Sequence, residues 1–120
     1  MDIINMTWSE KIKLARNPST PGEVLLELAK DEDSLIRARV ASHLNTFENT
    51  LLYLATDINN GVRHKVTLNP KSSSKVIVTL FEAEKNLTNP SILVIEDLYY
   101  NNKLPYIAKI IIETLFRDFI

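Results

Sequence analysis

The sequence contains no cysteine. That excludes disulfides and zinc–thiolate sites, and it fits a chain expected in the cytoplasm. Glycine is nearly missing too, with two residues, which argues against a turn-dense β fold. Charge of one sign is not in excess. Fourteen basic and fifteen acidic residues leave a net charge of −1, and neither end carries a charged tail. A general attraction to nucleic acid or anionic lipid is therefore not implied, although a local patch stays open. No apolar run approaches the roughly 20 residues needed to cross a bilayer. The run Ile110-Ile111-Ile112 is closed by Lys109 and Glu113. The opening, MDIINMTWSE, has an acid at position 2 and no apolar run, so it does not read as a signal peptide.

Catalytic signatures are missing as well. There is no glycine loop for phosphate, no His-Glu-x-x-His and no nucleophile elbow. The expectation is no catalytic residue, no cofactor and no metal. His43 reads as a structural turn contact, and His64 reads as a solvated residue on the outer part of a helix, so a histidine-based metal site is disfavoured.

What is present is a sentence written twice. ARNPSTPGEVLLELAKDEDSLIRARV, from Ala15, returns 26 residues later as ASHLNTFENTLLYLATDINNGVRHKV, from Ala41. Identical pairs are Ala15/Ala41, Thr20/Thr46, Leu25/Leu51, Leu26/Leu52, Leu28/Leu54, Ala29/Ala55, Asp31/Asp57, Arg37/Arg63 and Val40/Val66. A fixed period in the range of about 20–50 residues marks a stacked-repeat architecture. Hydrophobic residues at 45% and charged residues at 24% suit one folded domain of 120 residues.

Within each copy the punctuation is helical. Pro18 ends the helix before it, for want of an N–H. Thr20-Pro21-Gly22-Glu23 reads as a helix start, with Thr20 as cap, Pro21 at the first position and Glu23 in a capping box. Thr46 takes the cap position in the second copy. Val24, Leu25, Leu28 and Ala29 form an apolar stripe. A second short helix, from Leu35 to Ser42, buries Ile36 and Val40; Val62 and Val66 repeat the pair. A third copy begins at Asn69-Pro70, with Ser72 or Ser73 as cap. The period lapses after Phe81, where no acid stands at position 83 and no Val-Arg pair follows. A helix from Asn89-Pro90 to about Tyr100 comes next. A last helix then runs from Pro105 to the end. Helices this short need tertiary contacts, so each must bury its stripe against its neighbour.

The expected fold is all-α: a short right-handed α-solenoid of about three 26-residue helix–turn–helix repeats between degenerate caps. The divisions are an N-terminal half-repeat cap at 1–16, repeats at 17–42 and 43–68, a degenerate third repeat at 69–86 and a C-terminal helical cap at 87–120.

The residues Asn17, Pro18, Thr20, Pro21, Val24, Leu25, Leu28, Ala29, Asp31, Ile36, Arg37, Val40 and Ala41 resemble the leucine-rich repeat variant family, a relative of the HEAT-like α-solenoids. The resemblance covers residues 9–81. The second copy departs from it, with His43, Leu44 and Phe47 where the pattern has Asn, Pro and Pro. The resemblance implies two short helices per unit, the first with a 3₁₀ alternative, and mostly partner binding. An iron–sulfur cluster known in one member sits on cysteines outside the repeats and has no counterpart here. Fold alone specifies no partner.

Two charged columns follow from the period. Asp31 with Arg37 and Asp57 with Arg63 predict a ladder of acid–base bridges, within or between repeats. Lys13, Arg39 and Lys65 stand two residues beyond Lys11, Arg37 and Arg63. They form a basic row able to meet an acidic partner helix or a phosphate backbone; a solvated helix face is the plain alternative. The expected function is a non-enzymatic protein–protein interaction module that binds an unknown protein partner along the second helices. Lys13, Arg39 and Lys65 lead the candidate residues, joined by Arg37 and Arg63. Nucleic acid is disfavoured by the net charge and by the lack of interleaved aromatics, and no membrane association is expected. Of Tyr99 and Tyr100, which cannot share a helix face, at least one should be exposed. The last helix is apolar over more than one face. It reads either as a cap over the third repeat or as a homo-oligomer contact through Ile111, Leu115 and Phe119.

Overall fold

The computed structural model describes residues 2–120, apart from the side chain of Phe119. Among the described residues there is no strand. Eight α-helices follow in chain order: α1 (Trp8–Arg16), α2 (Gly22–Leu28), α3 (Ser34–Ser42), α4 (Glu48–Leu54), α5 (Asn60–Leu68), α6 (Ser74–Lys85), α7 (Ile92–Tyr99) and α8 (Tyr106–Leu115). Short 3₁₀ turns lie at Ile3–Asn5 and Arg117–Phe119, so the last helix stops at Leu115 rather than at the end of the chain.

Caps divide the helices into two sets. The N-termini of α3, α5, α6 and α7 are closed by Asp33, Asn59, Ser73 and Ser91, whose side chains accept from a backbone N–H of the first turn. Asp33 does double duty, because its other oxygen accepts from the Trp8 indole N–H at 2.8 Å and ties α1 to α3. By contrast, α2 and α4 start after Pro21 and Phe47 with no side-chain cap. The expected capping by Thr20 and Thr46 is therefore corrected. Their hydroxyls turn backwards, donating to Leu14 O and Val40 O at 2.6 Å. Ser72 does the same to Val66 O at 2.6 Å, leaving the cap of α6 to Ser73. Each of these hydroxyls adds a second donor to a last-turn carbonyl that already accepts the backbone N–H three residues on. The first helix of each copy is α-helical rather than 3₁₀.

The apolar stripes meet in the core. Leu25, Leu51 and Ile77 are fully buried, as are Leu28, Leu54 and Leu80. So are Val40, Val66 and Leu98, at corresponding places on α3, α5 and α7. Removing any one of these leucines to alanine would cost about 2–5 kcal/mol. Helix α1 packs on α3, α3 on α5 and α5 on α7, while α4 packs on α6 and α8 on α7. The molecule extends 47 Å in one direction and 23 by 17 Å in the others. Helix α7, expected in the C-terminal cap, thus follows α5 in the same row. The period fails there because α6 has 12 residues where α2 and α4 have 7, and a connection at 86–91 follows it.

Gly22 shows how tightly successive copies approach. A Cβ at that position would run into the Phe47 ring and stand 2.8 Å from the Asn45 carbonyl oxygen.

Candidate functional site

Three ion pairs join successive helix pairs. Lys11 on α1 meets Asp31 at 2.7 Å. Arg37 on α3 grips Asp57 through Nε and Nη2 at 2.8 and 3.1 Å. Arg63 on α5 grips Glu84 at 2.7 and 3.2 Å. Both arginines also donate Nη1 to carbonyls of their own turn: Arg37 to Asp31 O and Glu32 O, Arg63 to Asp57 O and Ile58 O. Each cation therefore reaches forward to the next acid, and the choice the sequence left open between same and next copy is settled. Each guanidinium spends its fork on a carboxylate, the geometry that favours arginine over lysine. Burial raises the Asp31 carboxyl, but Lys11, the Asp33 N–H and Arg37 outweigh it and leave it below the usual value. The hydrogen bond to Asp57 raises the Arg37 guanidinium.

Burial deepens along the ladder: Arg63 is 6% exposed and Glu84 not at all. Glu84 also accepts from the Ser91 N–H at 2.7 Å, so its position is over-determined. On α7 the position equivalent to Arg63 is Ile95, buried, with Phe116 packed against the same core. At that step the charged pair is replaced by apolar contact. Arg37 and Arg63, also candidates for partner binding, direct most of their donors to groups inside the protein.

Lys13, Arg39 and Lys65 behave differently. They lie on α1, α3 and α5, helices that pack one upon the next, and all three are exposed. None has an ion-pair partner among the described residues, and neither has Arg16, one turn beyond Lys13. On α7 the same place holds Asp97, preceded by Glu96. His64, expected to be solvated, is instead hydrogen-bonded through Nδ1 to Asp97, joining α5 to α7.

A polar ladder supports this row from behind. Asn17, His43, Asn69 and Asn101 each accept a loop N–H two residues on, at 2.8–3.0 Å. His43 then contacts Asn17 O through Nε2 at 2.7 Å, while Asn69 donates to Ala41 O and His43 O. Histidine substitutes for asparagine because a neutral ring offers one acceptor and one donor nitrogen. With Nδ1 accepting, Nε2 carries the proton, and both nitrogens are spent. Among the described residues no three His, Asp or Glu side chains are placed to hold a metal ion, and no helix is long and apolar enough to cross a membrane.

On α8, Ile111 is partly buried against the core. Leu115 is exposed, as are Tyr106 and Ile107; the side chain of Phe119 lies outside the described residues. Tyr100 is exposed, whereas Tyr99 packs on the core and donates to Glu113, which holds its phenol above the usual value.

The sequence reading missed Glu84, Asp97 and Asn101. The signal for Asp97 and Asn101 was available only by allowing a longer third spacing, since Asn69 and Asn101 stand 32 residues apart, whereas Glu84 stands one place beyond the 26-residue period from Asp57. Comparison of the chain with protein-family models, with curated proteins and with solved structures finds no significant match.

Proposed function

We propose that this protein is a non-enzymatic interaction module, a short right-handed α-solenoid of about three repeats related to the leucine-rich repeat variant family. It binds a protein partner along the row α1–α3–α5 through Lys13, Arg39 and Lys65. One observation carries this reading. Three exposed cations recur at one helical position without counter-ions, while their neighbours Lys11, Arg37 and Arg63 all have carboxylates. Aligned like charges repel, and a complementary partner removes that repulsion while steering association. The test is affinity capture from the native source with wild-type protein and with Arg39→Glu/Lys65→Glu, identifying what is retained. A specific protein lost with the double reversal supports the reading. An identical retained set with both proteins overturns it.

A homo-oligomer through α8 is the second reading, favoured by exposed Tyr106, Ile107 and Leu115 on one helix. It requires a solution mass above the monomer that falls in Leu115→Asp. A monomer at millimolar concentration removes it.

A further inference from the structure

Resting on that interaction face, we infer that the partner is an extended acidic polypeptide segment carrying one apolar anchor residue, and that the anchor seats between the C-terminal ends of α1 and α3. A groove of about 390 Å³ lies there. Ala15, Pro18 and Leu44 supply apolar wall, and Arg16 and Arg39 line the same groove. Leu44 is 57% exposed, and neither arginine has an ion-pair partner among the described residues. The volume is at the small end of ligand pockets, which run from about 300 to 1,000 Å³, and suits one large side chain with its adjoining backbone. Two guanidiniums beside an apolar recess match an apolar side chain with carboxylates next to it in sequence.

The same groove recurs between α5 and α7 with its charge inverted. It has about 420 Å³, and its lining includes Thr67, Leu68, Glu96, Asp97, Tyr100 and Asn101. Thr67 and Leu68 stand where Ala15 and Arg16 stand in the first groove, and Asp97 stands for Arg39. One backbone form thus presents guanidiniums at one end of the row and, at the other, the exposed Glu96 carboxylate beside Asp97, which His64 engages. An acidic segment is attracted to α1 and α3, passes Lys65 on α5 and is repelled at α7, which fixes its direction and its limit.

Spacing defines the segment further. Packed helices lie about 8–10 Å apart, so successive cations of the row are separated by a similar distance. An extended chain in the polyproline II form advances about 3.1 Å per residue with three residues per turn, so carboxylates three residues apart share one face and match the row. Nucleic acid fits less well. No aromatic side chain lies between the three cations to stack a base, and Glu10, Glu96 and Asp97 border the row.

Fluorescence anisotropy tests the inference. The probe is a labelled synthetic peptide with glutamates at positions 1, 4 and 7 and one leucine between two of them. Comparison probes replace that leucine by serine, replace the glutamates by lysines, or are labelled oligothymidine of matched charge. Saturable binding of the acidic peptide is expected, weakening with added salt. Affinity should fall at least tenfold in Arg39→Glu and at least fivefold when the leucine becomes serine, with no binding of the lysine peptide. Glu96→Lys should bind at least as tightly as wild type. Arg16 and Arg39 have no internal ion pair, and unchanged circular dichroism with an unchanged melting temperature confirms the fold of each variant. Lys13→Glu, at the edge of the row, gives an independent loss. The inference is overturned if the acidic peptide does not bind, if Arg16→Glu/Arg39→Glu binds it with wild-type affinity, or if oligothymidine binds more tightly. A captured native partner that is lost in Arg39→Glu/Lys65→Glu but docks through a segment without acids also overturns it. That result leaves the interaction module intact.

Discussion

Arg63 holds Glu84 by two N–H donors at 2.7 and 3.2 Å, across 21 positions of sequence and with the carboxylate wholly out of solvent. Glu84 is tolerable there because it has three donors, two from the guanidinium and one from the Ser91 backbone. Removing the cation leaves a buried charge with one hydrogen bond, which costs about 3–5 kcal/mol. Arg63→Ala is expected to lower the free energy of unfolding by that amount. Arg37→Ala, whose partner keeps some solvent, should lose about 1–3 kcal/mol, and Lys11→Ala at most about 1 kcal/mol. Urea denaturation of the three variants checks the order, and equal losses would contradict the deepening burial of the ladder.

The first pair also sets a pH signature. Burial raises the Asp31 carboxyl, but Lys11, the Asp33 N–H and Arg37 together hold it below its ordinary value in the folded state. A carboxyl depressed by folding contributes stability in full above its unfolded value and loses it as pH falls through the folded one. The stability difference between wild type and Asp31→Asn should therefore be constant from pH 7 to about 5. It should then shrink steadily below about pH 4. Urea midpoints at several acid pH values measure it, and a difference that grows on acidification would reverse the sign.

His43 is replaceable by one residue type in particular. Asparagine occupies the corresponding place at 17, 69 and 101, and at 69 and 101 it makes the same acceptor and donor pair. His43→Asn should stay within about 0.5 kcal/mol of wild type. His43→Ala leaves the Asn45 N–H without a partner and Asn17 O with the Thr20 N–H alone, and should cost about 1–3 kcal/mol. Thermal unfolding separates the two outcomes.

Gly22→Ala should destabilise by about 1–3 kcal/mol despite better helix propensity, because the new methyl meets Phe47 and the Asn45 carbonyl. Adding Phe47→Ala relieves the ring contact but not the carbonyl, so part of the loss should persist in the double variant. Complete recovery would show that the backbone gives way.

The charge reversals Arg39→Glu and Lys65→Glu should leave the unfolding midpoint within about 0.5 kcal/mol of wild type, since neither side chain has an ion-pair partner. A larger loss would mean that the row serves the fold rather than a partner.

Much of this was legible where the chain copies itself. The 26-residue spacing located α1 to α5, their buried pairs and the exposed cations, because identical neighbours impose identical surroundings. It failed at Phe81 for a physical reason. Glu84 stands one place beyond the position that the period from Asp57 marks, and a longer α6 with the connection after it shifts the positions on α7 by six residues, which hid Asp97 behind Lys65. The threonines misled in another way. Thr20-Pro21-Gly22-Glu23 has the letters of a capping box, but the same hydroxyl lies close to the Leu14 carbonyl and closes the helix behind it. Sequence cannot rank two acceptors competing for one proton.

The exchange of a charged rung for the buried Ile95 has a bearing on engineering. A further 26-residue unit grafted behind Tyr99 would bring an acid to a place where no cation waits. The same unit spliced between Ser42 and His43 would inherit Arg37 on one side and offer its own arginine to Asp57 on the other. Lengthening is expected to be tolerated in the middle and resisted at the far end.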